Sequence, residues 1–174
     1  MGVSTHSKGN AGFIIFSVYQ GKDVVQDYAA HCLQRSFFKT FGDIHYTELD
    51  GCYLGSEEKS FLISKEVWDA SATLRKRVFE IAKQECVMEL QTHKHGLYKA
   101  WFLYPKIVKH KPTGLFHSRK TYEIGERIFQ GYLRSVSKDK LHLFNGYSKN
   151  LKGDCFVITK SDATRMDQKQ EVGL

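Results

Sequence analysis

The chain has 174 residues, of which 41% are apolar and 26% charged, with a net charge of +7 and a pI near 9.2. That length can bury a core of its own, and the balance of residues is that of a soluble globular protein with one domain over 1–174. No run is long enough to cross a membrane, and the N-terminus lacks the apolar core of a signal peptide, so a cytoplasmic protein with no membrane partner is expected. The four cysteines, Cys32, Cys52, Cys86 and Cys155, contain no C-x-x-C pair, which argues against a disulfide framework and against a zinc site.

In chain order, residues 1–11 are rich in Gly, Ser, Thr, Lys and Asn and read as a disordered lead-in. Gly12–Tyr19 is a dense apolar and β-branched run, a buried strand. Asp23-Val24-Val25-Gln26 has the form of a capping box. The helix it opens places Val25, Tyr28, Ala29, Cys32, Leu33 and Ser36–Phe37 at helical spacing, as an inward face ending near Gly42. Ile44–Tyr53 and Ser60–Ser64 read as the next two strands. Gly51 and Gly55 lie in the tight connection between them, since glycine accepts the positive φ such bends need. Ser64 caps a second helix, Lys65–Lys83, with Val67, Ala70, Leu74, Val78, Ile81 and Ala82 on one stripe. Cys86–Leu90 is the fourth strand.

The order through Leu90 is β-α-β-β-α-β. With right-handed crossovers this is the ferredoxin-like α+β plan, an antiparallel sheet with two helices on one face. The other face would be bare in a monomer, which points to self-association. Leu97–Tyr104 is a further strand, 105–122 a basic loop, Arg127–Ser137 with Lys140–Asn145 a hairpin, and Asp154–Thr159 an additional C-terminal strand. Residues from about 162 to 174 are polar and expected to fray.

Few residues stand out chemically. Glu57 and Glu58 lie at the mouth of the hairpin, and if Glu58 opens a strand the two face opposite sides, so only one can point at a ligand. His93 and His95 have the spacing for two imidazoles on one strand face, but no acidic or cysteine partner accompanies them and no metal is expected. Cys52, inside a strand, reads as a small core residue rather than a nucleophile. There is no phosphate-binding glycine loop and no Gly-x-Ser-x-Gly elbow. The positive charge gathers in Lys99–Lys120 and Lys138–Lys152 without a recognised nucleic-acid motif, so nucleic acid is not expected as a partner.

The ordered elements Leu49-Asp50-Gly51-Cys52-Tyr53, Glu57-Glu58-Lys59-Ser60, Glu85-Cys86-Val87 and Gln91-Thr92-His93 resemble the phage S-adenosylmethionine-degrading enzymes, once termed hydrolases and better described as lyases. The likeness runs from Phe13 to Tyr104 and faintly on to Leu133. The segment between Tyr53 and Glu58 is shorter than in the family pattern. The resemblance implies a PII-like homotrimer with the ligand in clefts between subunits, and no cofactor, since S-adenosylmethionine is itself the substrate. It implies that Tyr53 and Glu58 line the substrate pocket as the catalytic residues, with Gln91 as a further substrate-binding position. It also implies release of 5′-methylthioadenosine and homoserine lactone, and antirestriction by S-adenosylmethionine depletion in a host cytoplasm. Three alternatives stay open at this point: a hydrolase giving homoserine, a PII-like binding module without turnover, and a basic nucleic-acid-binding antirestriction protein.

Overall fold

The computed structural model describes residues 12–40, 42–53, 55–112, 119–144 and 146–160. The ends expected to be disordered lie outside the described residues. The elements in order are β1 (Gly12–Ser17), α1 (Val24–Thr40), β2 (Thr47–Tyr53), β3 (Ser56–Ser64), α2 (Lys65–Ala70), α3 (Ala72–Lys76) running into a π-helical turn (Arg77–Ile81), β4 (Val87–Thr92), β5 (Tyr98–His110), β6 (Arg119–Val136), β7 (Gly146–Lys149) and β8 (Cys155–Thr159). Every strand pairing is antiparallel, in the order β1-β3-β2-β7-β8-β6-β5-β4, and β4 pairs back onto β1.

The sheet is therefore a closed barrel of eight strands, which corrects the expectation of an open ferredoxin-like, PII-like sheet. The reason lies in the second half of the chain. Lys106, Lys109, Lys111 and Lys120 interrupt the apolar alternation, so 105–122 reads as a loop. Backbone ladders do not require apolar side chains, however, and β5 continues through Pro105 to His110 while β6 starts at Arg119. β6 then carries the sheet from β5 to β8, and the four-residue β7, too short to show a pattern, joins β8 to β2. Residues Lys138–Leu143 form a 3-10 turn, so the expected partner strand of β6 at Lys140–Asn145 is also corrected. Closure turns the supposedly bare face into an interior, and with it removes the argument that this face needs a partner subunit.

Alternation along the strands places Ile14 and Phe16 of β1 with Phe61 and Ile63 of β3 on the outer face. Phe37 and Phe38 of α1 and Trp68, Leu74 and Val78 from α2 to the π turn cover them, all nearly inaccessible. Burying a side chain such as Trp68 stabilises by roughly 3 kcal/mol. Thus the hydrophobic core lies between barrel and helices, outside the barrel.

Both helical predictions need revision. Asp23 does cap α1, its carboxylate accepting from the Gln26 backbone N–H at 2.8 Å and from the Gln26 side chain at 2.7 Å. The buried stripe, however, is Asp27, His31, Gln34, Phe37 and Phe38, while Val25 and Leu33 stay 78% and 66% exposed. Polar side chains win the inner face because each finds a partner there: Asp27 accepts from the Gln20 N–H at 3.0 Å, and His31 Nε2 meets Glu48 at 2.8 Å. The single helix expected over Lys65–Lys83 breaks at Ser71, whose hydroxyl caps α3 by accepting from the Leu74 N–H at 3.1 Å.

The closing seam is tightest at Gly131 of β6, next to a bulge against β5. Its φ is +135°, and a Cβ there would come within 2.2 Å of the Thr159 carbonyl oxygen of β8. Neither strand can yield without opening the ladder. Gly131→Ala is expected to destabilise the protein by about 3 kcal/mol, read as the shift in a urea unfolding midpoint.

Candidate functional site

Closure leaves a cavity of about 990 Å³ inside the barrel, at the upper end of the range for small-molecule sites. The register decides which side chains reach it. Gly51 pairs with Glu58 and Tyr53 with Ser56, so Tyr53 and Glu58 share the inner face and both line the cavity. Glu57, one residue away, faces outward and is exposed, as the pleat requires. The short Tyr53–Glu58 connection brings the two functional candidates together: Gly55, at φ +85°, turns the chain directly into β3. Tyr53 sits at the mouth, 54% exposed, and Glu58 lies one inward-facing position deeper.

Gly51 matters for space as well. A Cβ there would lie 3.9 Å from Glu58 Cγ and 3.3 Å from the Tyr147 carbonyl oxygen, so glycine keeps the volume beside the carboxylate open. Around Glu58 the wall is mainly apolar and aromatic, with Ile15, Met88, Phe102, Tyr104 and Phe156 among its members. Burial alone holds the Glu58 carboxyl above the usual carboxylate range. It makes no ion pair among the described residues, whereas Glu48, Glu89 and Asp50 are paired with Arg35, Arg127 and Lys59. Lys83, Glu85 and Lys160 also line the cavity, but no ion pair joins either lysine to Glu58 among the described residues. A partly desolvated carboxylate with no ion-pair partner can receive a cationic group.

Gln91 does not belong to this cavity. It alternates to the outer face of β4, where its side-chain oxygen accepts from Trp101 Nε1 at 3.1 Å and from the Arg127 guanidinium at 3.2 Å. That guanidinium lies 3.7 Å from the Trp101 ring centroid and donates to the buried Glu89 at 2.9 Å. The glutamine helps to hold a structural cluster. His93 packs against Tyr132, and the side chain of His95 lies outside the described residues.

Sequence reasoning missed Tyr19, Tyr104 and Cys86, which also line the cavity. Tyr19 stood in a predicted strand without a visible face, and Tyr104 beside a proline that reads as a strand end. Burial pushes the Tyr19 hydroxyl and the Cys86 thiol up, so that thiol is a poor nucleophile near neutrality. Among the described residues no helix is long and apolar enough to cross a membrane. A family model described as the S-adenosylmethionine lyase family matches residues 18–159, well over half of the chain. No curated protein matches the chain.

The raised pKa of Glu58 has a consequence for stability. A carboxyl whose folded value lies above its unfolded one favours the folded state when protonated. That contribution is present at acid pH and is lost as pH rises from the unfolded value through the folded one. Glu58→Gln should therefore raise Tm at neutral pH, with the gain shrinking as pH falls toward the unfolded carboxylate value. Thermal scans from acid to neutral pH check this; a lower Tm for the variant at neutral pH would show that the carboxylate has a structural partner.

Proposed function

The chain belongs to the S-adenosylmethionine lyase family, a lyase class acting on S-adenosylmethionine, and we propose that its barrel cavity cleaves that substrate to 5′-methylthioadenosine and homoserine lactone. The observation that carries the reading is Glu58, an unpaired carboxylate partly withdrawn from water in a cavity of suitable size. The substrate brings two cations, a sulfonium and an ammonium, together with its own nucleophile, the methionine carboxylate. The barrel of a single chain already encloses this volume.

The proposed step is internal displacement. A carboxylate oxygen bonds to the γ-carbon, the bond from that carbon to sulfur breaks, and its electron pair stays on sulfur. The products are a neutral thioether and a five-membered lactone that keeps the ammonium. No proton moves and no water is consumed. Because opposite charges disappear along the reaction, transfer into a drier, aromatic-lined cavity favours the transition state over the ground state. Folding the methionine arm into a near-attack shape supplies an orientation term that can reach several kcal/mol. Glu58 binds the ammonium and fixes the arm, and the Tyr53 hydroxyl at the mouth orients polar atoms near the sulfur. Removal of S-adenosylmethionine would starve the restriction and methylation enzymes that depend on it, which is the antirestriction role we assign to the activity.

One observation favours a second reading. A carboxyl held above its usual range is also a better general base, so Glu58 could activate water and give homoserine. Mass spectrometry of early products in water enriched in heavy oxygen separates the two. Unlabelled lactone with 5′-methylthioadenosine supports the lyase, labelled homoserine preceding any lactone supports hydrolysis, and unconsumed substrate overturns both. On the lyase reading Glu58→Gln lowers kcat/KM by about 100-fold or more and Tyr53→Phe by about tenfold. Activity should also fall as pH drops through the raised Glu58 value, because the neutral acid no longer holds a cation.

A further inference from the structure

The basic stretch that reads as a loop in the sequence belongs, in its described residues, to the far part of the β5–β6 ribbon, where the two strands pair only with each other. Its base is anchored: Tyr122 is buried with its ring 6.1 Å from Phe79, and its carbonyl accepts from Arg75 Nε at 2.8 Å. Beyond that point the cross-strand pairs are Val108 with Thr121, Lys109 with Lys120 and His110 with Arg119. Lys109, Lys111, Arg119 and Lys120 are exposed, and none of them makes an ion pair among the described residues. Other exposed cations, Lys22 and Lys152 among them, are unpaired too, but among the described strand pairs only here do two lysines stand directly opposite each other. Lysine directly opposite lysine weakens a strand pair, so this tip stores a repulsion that an anion relieves.

The two strands also distribute the charge geometrically. Lys109 and Lys120 stand on one face of the ribbon and Arg119 on the other, beside His110, whose ring meets the Thr121 hydroxyl at 2.9 Å. A two-stranded antiparallel ribbon has the width that the major groove of B-form DNA admits, and phosphates line both walls of that groove. Cations on both faces of the ribbon can thus meet both walls at once. We propose that the tip of the β5–β6 ribbon is a docking site for duplex DNA, held through its backbone phosphates. The contacts are to phosphate and carry no base readout, so binding is independent of sequence. The site is separate from the barrel cavity, and it gives a role to the excess positive charge that turnover of a small cation leaves unused.

The test is fluorescence anisotropy of a labelled DNA duplex titrated with the full chain between about 50 and 200 mM salt, alongside vesicles of anionic phospholipid. With about four phosphates engaged, affinity should fall roughly a hundredfold over that range. Lys109→Glu with Lys120→Glu should lower affinity at the lowest salt by about tenfold or more and flatten the log–log salt slope by about 2, with S-adenosylmethionine consumption unchanged. Lys22→Glu with Lys152→Glu, the same change in net charge at exposed positions outside the ribbon, should leave the slope in place. Absence of saturable duplex binding at the lowest salt overturns the proposal, as does equal loss in the two double variants. Tighter binding to the vesicles than to the duplex at matched salt would also overturn it, by making the anionic partner a lipid surface.

Discussion

A carboxylate withdrawn from water without a counterion is unfavourable, and the rest of the structure serves to keep Glu58 in that condition. Burial disfavours its charged form, and although Lys83 and Lys160 line the same cavity, neither is ion-paired with it. Lys59, the next residue, points to the other side of the sheet and is bound to Asp50 at 2.7 Å. The pleat thus separates a neutralised acid on the outer face from an unneutralised one on the inner face. Gly51, directly across the ladder, keeps the space beside the carboxylate free.

A hollow interior has to be supported from elsewhere, since unfilled volume contributes no packing. Here the support is external. Phe16, Phe38, Phe61 and Trp68 interlock between barrel and helices at centroid separations of 5.3 to 6.1 Å. Beside them the fully buried His31 stacks on Phe61 at 4.2 Å and reaches Glu48, which also binds Arg35. The Arg35 guanidinium beside Glu48 holds that carboxyl below the usual range, while burial pulls His31 down. This polar clasp ties α1 to β2, the strand that carries Gly51 and Tyr53. The stability of the cavity wall and the unpaired carboxylate inside it therefore depend on opposite faces of the same strands.

Much of the first half was legible because its physics is local. Ser64 caps α2 as its position suggests, its hydroxyl accepting from the Val67 N–H at 3.3 Å. The alternation rule correctly separated Glu57 from Glu58, and the resemblance pointed to Tyr53 and Glu58, which the register brings to one cavity. What failed was non-local. Barrel closure depends on β6 running 18 residues through charged sequence and on β7 of only 4 residues, neither of which has a hydrophobic signature. The inner face of α1 was misread because Asp27, His31 and Gln34 are buried by virtue of partners far away in the chain, Glu48 and Arg77 among them. Gln91 was assigned to the substrate because motif order says nothing about which face of β4 a side chain takes.

The central claim is that the Glu58 carboxylate waits unpaired for a cation. It is tested most directly by following the Glu58 side-chain carboxyl carbon by NMR through a pH titration. The protein would be studied empty and then saturated with an uncleavable S-adenosylmethionine analogue that keeps both positive charges. The account predicts a value above the ordinary carboxylate range in the empty protein and a clear drop once the analogue is bound, because an adjacent cation favours the ionised form. An ordinary value in the empty protein, or one that the bound analogue leaves unmoved, would contradict it.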